Sequence, residues 1–214
     1  MQFDQIEHKL DKPLNTDKAV ILLPGISGNV LSDERFNKFS QALLNTNIAF
    51  FRFELWRSEA ELEKMTISEI HEFLNDAYSY LKSKGYSKIS FVGKSFGGGI
   101  ILTYNNPNIN KLVLWSPAMN FGPDSNFIYS KEAKLYNFKK LSDIKINKRD
   151  LYHINYPVLI IHGTNDEVVS VENSKRIITE FPKIQLKVIE GADHSYSSDS
   201  VLNQILNDTV NFIK

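Results

Sequence analysis

At 214 residues the chain is long enough to bury a sizeable core in one large domain without disulfide or metal staples. Apolar residues at 42%, charged residues at 23% and a formal net charge of zero fit a globular protein and leave no basic footprint for nucleic acid or a membrane surface. The absence of cysteine excludes disulfides, thiolate metal sites and cysteine nucleophiles. The opening MQFDQIEHKLDKPLN has no apolar stretch behind a basic start, and no apolar run is long enough to span a bilayer, so a cytoplasmic location is expected.

The first apolar run, Ala19–Leu23, leads into Pro24-Gly25-Ile26-Ser27-Gly28-Asn29. Phe36, Phe39 and Leu43 then recur at helical spacing behind Ser32-Asp33-Glu34, and a second run follows at Ile48–Phe53. Thr66 and Glu69 form a capping-box pattern ahead of Ile70, Phe73, Leu74, Ala77 and Leu81, with Gly85 where a helix-ending glycine belongs. Ile89–Val92 runs into Gly93-Lys94-Ser95-Phe96-Gly97 and a helix from Phe96 to about Tyr104; Leu112–Trp115 is the next strand. From about 118 to 155 the chain is polar and carries no clear strand, but Phe127, Tyr129, Leu135, Tyr136, Phe138 and Leu141 suit a small helical cap. The same apolar residues would equally pair two copies of the chain. Val158–Ile161, a helix from near Ser170 through Ile177 and Ile178, Leu186–Ile189 and a helix over Val201–Ile213 complete the series.

Continuous apolar strands suit burial on both faces. Strands alternating with helices predict one α/β domain over 1–214, a three-layer α/β/α sandwich on a mostly parallel sheet with a cap insertion at about 118–155.

FVGKSFGGG, at 91 to 99, admits two chemistries. A phosphate-binding loop needs a flexible glycine-led stretch before its Gly-Lys-Ser, so that successive N–H groups wrap a phosphate. Here the glycine position is Lys88 and the intervening residues are a strand, so the cradle is missing. A nucleophile elbow needs a strand, a sharp Gly-x-Ser-x-Gly turn and a helix, in that order, and each is present. The motif alone is common, so its partners must decide.

An activated serine needs a histidine to take its proton and a carboxylate to orient the histidine. In chain order Ser, Asp, His, those partners are expected at the carboxyl ends of late strands. Asp166 follows Val158–Ile161 within HGTNDEVV, and His194 follows Leu186–Ile189 within EGADHS. Glu167 is the weaker candidate acid, Asp193 suits the turn, and His162 suits a structural hydrogen-bonder; His8, His71 and His153 have no partner pattern. Oxyanion donors are expected at the backbone N–H of Phe96 and, from the loop after the first strand, of Ile26.

PGISGN, RFEL, GKSFGG, LWSPA, HGTNDEVV and GADHSY, taken in order, resemble the α/β-hydrolase family over essentially the whole chain. The pattern is similar to small bacterial esterases of the dienelactone-hydrolase and cinnamoyl-esterase type. This chain has Pro24-Gly25 where those relatives usually have His-Gly, and Leu55-Trp56-Arg57-Ser58-Glu59 where many carry a Gly-His-Gly loop. The resemblance implies nucleophile Ser95, acid Asp166 and base His194, a small acyl substrate, no cofactor and no metal. Ester hydrolysis is the first expectation; thioester or peptide cleavage, or a ligand-binding scaffold without turnover, are the alternatives.

Overall fold

The computed structural model describes residues 5–118, 120–121, 135, 145–146 and 151–214. These form strands β1 (His8–Asp11), β2 (Lys18–Leu23), β3 (Ala49–Phe53), β4 (Lys88–Lys94), β5 (Leu112–Trp115), β6 (Asn120–Phe121), β7 (Lys145–Ile146), β8 (Val158–Gly163) and β9 (Ile184–Ile189). The helices are α1 (Glu34–Leu44), α2 (Glu59–Leu62), α3 (Ile67–Ser83), α4 (Phe96–Leu102), α5 (Val171–Glu180) and α6 (Asp199–Ile213).

Alternation along each strand sorts its side chains into two cores. In β5, Leu112 and Leu114 join one core while Val113 and Trp115 join the other. The first core takes the apolar stripes of α3, α4 and α5, and the second takes those of α1 and α6. Each fully buried Leu, Ile, Val or Phe stabilises the fold by about 1.5–3 kcal/mol relative to exposure, so both layers of helices are held by the sheet between them. The result is the expected three-layer α/β/α sandwich.

The sheet order is β1-β3-β2-β4-β5-β8-β9. Every pairing is parallel except β1 with β3, where His8 lies opposite Phe53 and Asp11 opposite Phe50. The chain leaves β2 toward β3 on one side, then crosses to β4 on the other. That reversal opens a crevice at the carboxyl ends of β2 and β4, where such sheets place their ligands.

Local chemistry sets the helix limits. Thr66 Oγ1 accepts from Glu69 N–H at 3.0 Å while Glu69 accepts from Thr66 N–H at 2.6 Å, and Gly85 beyond the far end has φ 93°. Helix α4 ends at Leu102, short of the expected Tyr104, because the Thr103 hydroxyl takes the Ile100 carbonyl at 2.8 Å and the chain turns away.

Four elements lie outside the sequence reading: the edge strand β1, the one-turn helix α2, and the parallel strands β6 and β7, which form a two-stranded sheet of their own. The pair corrects the expectation that 118–155 carries no strand; two-residue strands joined across a long sequence separation leave no periodicity to read. Leu135 is buried, and its N–H donates to the Met65 carbonyl at 2.8 Å. Phe127, Tyr129, Tyr136, Phe138 and Leu141, and with them the helical cap, lie outside the described residues. Among the described residues no helix is long and apolar enough to cross a membrane.

Candidate active site

The sheet delivers three side chains to one crevice. At the end of β4 the chain turns at Ser95 with φ 51° and ψ −120°, then enters α4. A non-glycine residue in so sparse a region costs about 1–3 kcal/mol. The surroundings hold it there: Ser95 N–H donates to Trp115 O at 2.9 Å, and its carbonyl accepts from Ala118 N–H at 2.8 Å. The flanking glycines are needed for close approach. A Cβ on Gly97 would lie 2.3 Å from Pro24 O, and one on Gly93 would lie 2.7 Å from Gly98 Cα.

His194, on the loop after β9, places Nε2 3.0 Å from Ser95 Oγ and Nδ1 2.8 Å from Asp166 Oδ2. An ionised carboxylate only accepts, so Nδ1 carries the proton and Nε2 is left to accept from the serine hydroxyl. Asp166 lies just past β8 with its side chain fully buried. Its Oδ1 accepts from Val168 N–H at 3.0 Å and Val169 N–H at 2.7 Å. Burial works to raise its pKa, but hydrogen bonds from His162, His194, Val169 and Ser116 outweigh that and hold the carboxyl well below the usual range. The group is therefore an anion at neutral pH, suited to steadying an imidazolium.

Around this row the loop after β2 closes. A Cβ on Gly25 would come within 3.3 Å of Ser95 Cβ, so glycine there lets the backbone lie close beside Ser95. The Gly25 carbonyl is held from two sides, by Trp56 Nε1–H at 3.0 Å and Gly28 N–H at 3.2 Å. Ile26 lies in that turn, beside the site. Phe96 opens α4, where a backbone N–H has no acceptor within its own helix. A cavity of about 270 Å³ is lined by Ile26, Phe36, Lys94, Ser95, Val168 and His194, among others. A larger one of about 550 Å³, lined by Leu55, Met65 and Phe73 among others, contains none of Ser95, Asp166 and His194.

The remaining candidates fall elsewhere. Glu167 is exposed, and Asp193 accepts from Ser197 N–H at 2.9 Å within its turn. His162 is fully buried, with Nε2 2.8 Å from Val169 O and 3.3 Å from Asp166 Oδ2, and Nδ1 2.7 Å from Ser174 Oγ. It thus braces the loop that carries Asp166. None of His8, His71 and His153 lines the cavity. No group of three or more His, Asp or Glu placed to hold a metal occurs among the described residues.

Sequence reasoning passed over Trp56, Lys94 and Arg35 as site residues. Trp56 stands in the loop noted as replacing Gly-His-Gly, and that departure was its only signal. Lys94 Nζ donates to the His194 carbonyl at 2.7 Å, and Arg35 Nη1 donates to the Ser195 carbonyl at 3.0 Å.

Comparison with known proteins follows this geometry. A family profile described as "Serine aminopeptidase, S33" matches residues 141–200, the stretch that holds Asp166 and His194. The human serine hydrolase BPHL is 26% identical over 193 residues, covering 72% of this chain; the match spans 65% of that relative's length. Est1E from Butyrivibrio proteoclasticus, in a structure described with ferulic acid bound, superposes with TM-score 0.78 at 20% identity, covering 99% of this chain and 96% of Est1E. The monoacylglycerol lipase of Paleococcus ferrophilus superposes with TM-score 0.75 at 16% identity over 98% of both chains. A dienelactone hydrolase from Anabaena variabilis gives TM-score 0.70 at 17% identity, covering 96% of this chain and 89% of its own. These superpositions give the chain the α/β-hydrolase fold.

Proposed function

We propose that the chain is a serine hydrolase that cleaves small carboxylic esters through an acyl-enzyme. The observation that carries this reading is the unbroken row Ser95 Oγ, His194 Nε2, His194 Nδ1, Asp166 Oδ2, with links of 3.0 and 2.8 Å. Ser95 attacks the acyl carbonyl as His194 takes its proton, and Asp166 stabilises the imidazolium. The Ile26 and Phe96 N–H groups hold the oxyanion. His194 then protonates the departing alcohol, and water clears the acyl group by the same route in reverse.

The likeness to Est1E, described with ferulic acid bound, makes esters of aromatic acids the first panel to try. Peptide cleavage is the second reading, favoured by the aminopeptidase profile over the segment bearing acid and base. Intact-mass labelling with a fluorophosphonate tests the shared chemistry. One adduct on the wild type, absent from Ser95→Ala and His194→Ala, is expected. A folded wild type that takes no adduct, or a Ser95→Ala variant that still does, would overturn the assignment.

A further inference from the structure

We propose that Lys94 is a positioning residue for the general base: its side chain clamps the loop that carries His194 to the strand that carries Ser95. The inference rests on the serine hydrolase reading. Lys94 is the last residue of β4, next in sequence to the nucleophile, and is only 7% exposed. Its Nζ reaches the His194 carbonyl at 2.7 Å and lies 4.7 Å above the centre of the Tyr196 ring. One side chain therefore spans from the residue beside the nucleophile to the main chain of the base itself. The next carbonyl of the same loop, that of Ser195, is held by Arg35 from α1. Two cations from two elements thus fix two successive peptide units.

Packing alone does not account for the choice. Burying an ammonium is costly where an apolar chain of similar volume would fill the space more cheaply. The return is a charge-assisted hydrogen bond, shorter and about twice as strong as a neutral one.

The groups facing Nζ come from three elements besides its own. They are Arg35 with Asp33 at the start of α1, Asp166 after β8, and Asp193, His194 and Tyr196 after β9. Burial and then the Arg35 charge pull the Lys94 pKa down to about 7, against the opposing pull of Asp166, Asp33 and Asp193. The clamp therefore loses its charge close to neutrality. The neutral amine still donates, but more weakly, and the hold on His194 slackens as pH rises.

The test compares the wild type with Lys94→Met and Lys94→Arg. Two readouts are used: the second-order rate of fluorophosphonate labelling across pH 5 to 10, and the downfield proton resonance of His194 Nδ1–H. Lys94→Met should label about 10- to 100-fold more slowly at neutral pH, the scale expected when a reacting group is misplaced by a fraction of an ångström. It should also broaden the Nδ1–H resonance while leaving the melting temperature equal or higher. Lys94→Arg should recover most of the lost rate, without the decline above neutral pH that the wild type shows. A Lys94→Met variant with the wild-type rate, pH profile and resonance would overturn the clamp. If the wild type fails to label at all, the hydrolase reading falls and the resonance decides on the clamp alone: broadened in Lys94→Met it stands, unchanged it fails.

Discussion

Gly163 closes β8 against the loop that carries His194, and replacing it with alanine offers a sharp test of how tightly that loop is set. The added Cβ would sit 2.0 Å from the Ala192 carbonyl oxygen and 2.6 Å from its carbon. Ordinary contact begins at 3.4 Å, so the Ala192 backbone must retreat by about 1.4 Å. It cannot retreat alone. Asn165 N–H holds Ala192 O at 3.0 Å, and Thr164 Oγ1 accepts Gly191 N–H at 2.8 Å. His194 is two residues further on. If half the retreat reaches it, the 3.0 Å contact with Ser95 passes beyond hydrogen-bond reach. Misplacement on that scale costs about 100-fold in rate. Overpacking adds about 1–3 kcal/mol of instability, and at about 2–4 °C per kcal/mol for a chain of this size the melting temperature falls by about 2–12 °C.

Gly85→Ala is the control. Its φ of 93° strains any side chain, but no atom lies within 4 Å of the new Cβ, and the position precedes β4 whereas Ser95 follows the far end of that strand. The two variants should lose similar stability, and only Gly163→Ala should lose labelling. Equal fluorophosphonate labelling of both, at a temperature well below either transition, would refute the reasoning.

Two further outcomes are expected. Arg52 is 1% exposed and pairs with Asp11 at 2.6 Å and Asn37 at 2.8 Å, so Asp11→Ala strands a buried cation and should cost about 3–5 kcal/mol in urea unfolding, whereas Arg52→Met, which leaves Asp11 with Lys9 at 3.0 Å and Ser40 at 2.8 Å, should cost less. Asp166→Asn leaves the wrong hydrogen-bonding partner for His194 and should slow labelling by about 10³- to 10⁴-fold at neutral pH. Because the native Asp166 carboxyl binds protons less readily than its ordinary value of 3.8, its contribution to stability is full above that pH and is lost as pH falls below it. The melting difference between wild type and Asp166→Asn should therefore shrink on going from pH 5 to pH 3.

The parts of the site legible in the sequence are those that topology forces. In a parallel sheet the loops after β4, β8 and β9 emerge on the same side, so a serine, an aspartate and a histidine each just past a strand end are drawn together by the strand order alone. The flanking glycines were legible for the same kind of reason, since sterics at a strand–helix turn admit little else. What escaped is non-local. Lys94 fills the unconstrained position of Gly-x-Ser-x-Gly, and its partner carbonyl lies 100 residues downstream. Trp56 acts through a single hydrogen bond to Gly25, 31 residues away. Arg52 interrupts an otherwise apolar run and makes sense only beside Asp11, which sits on β1, a four-residue, half-exposed strand with no periodicity of its own.

The strand order also divides Ser95 and His194 between regions of unequal local stability. Ser95 follows β4, which is flanked on both sides, whereas His194 follows β9, which among the described strands pairs only with β8. Most side chains of β9 are exposed or partly so, and Val188 is 40% exposed. Edges of this kind open by sub-global excursions well before a molecule melts. An excursion that lifts β9 would carry His194 away while leaving Ser95 seated on an intact inner sheet, giving a folded molecule in which the proposed triad is transiently broken. Thermal loss of reactivity would then precede global unfolding and reverse on cooling, and amide exchange along β9 would set its pace.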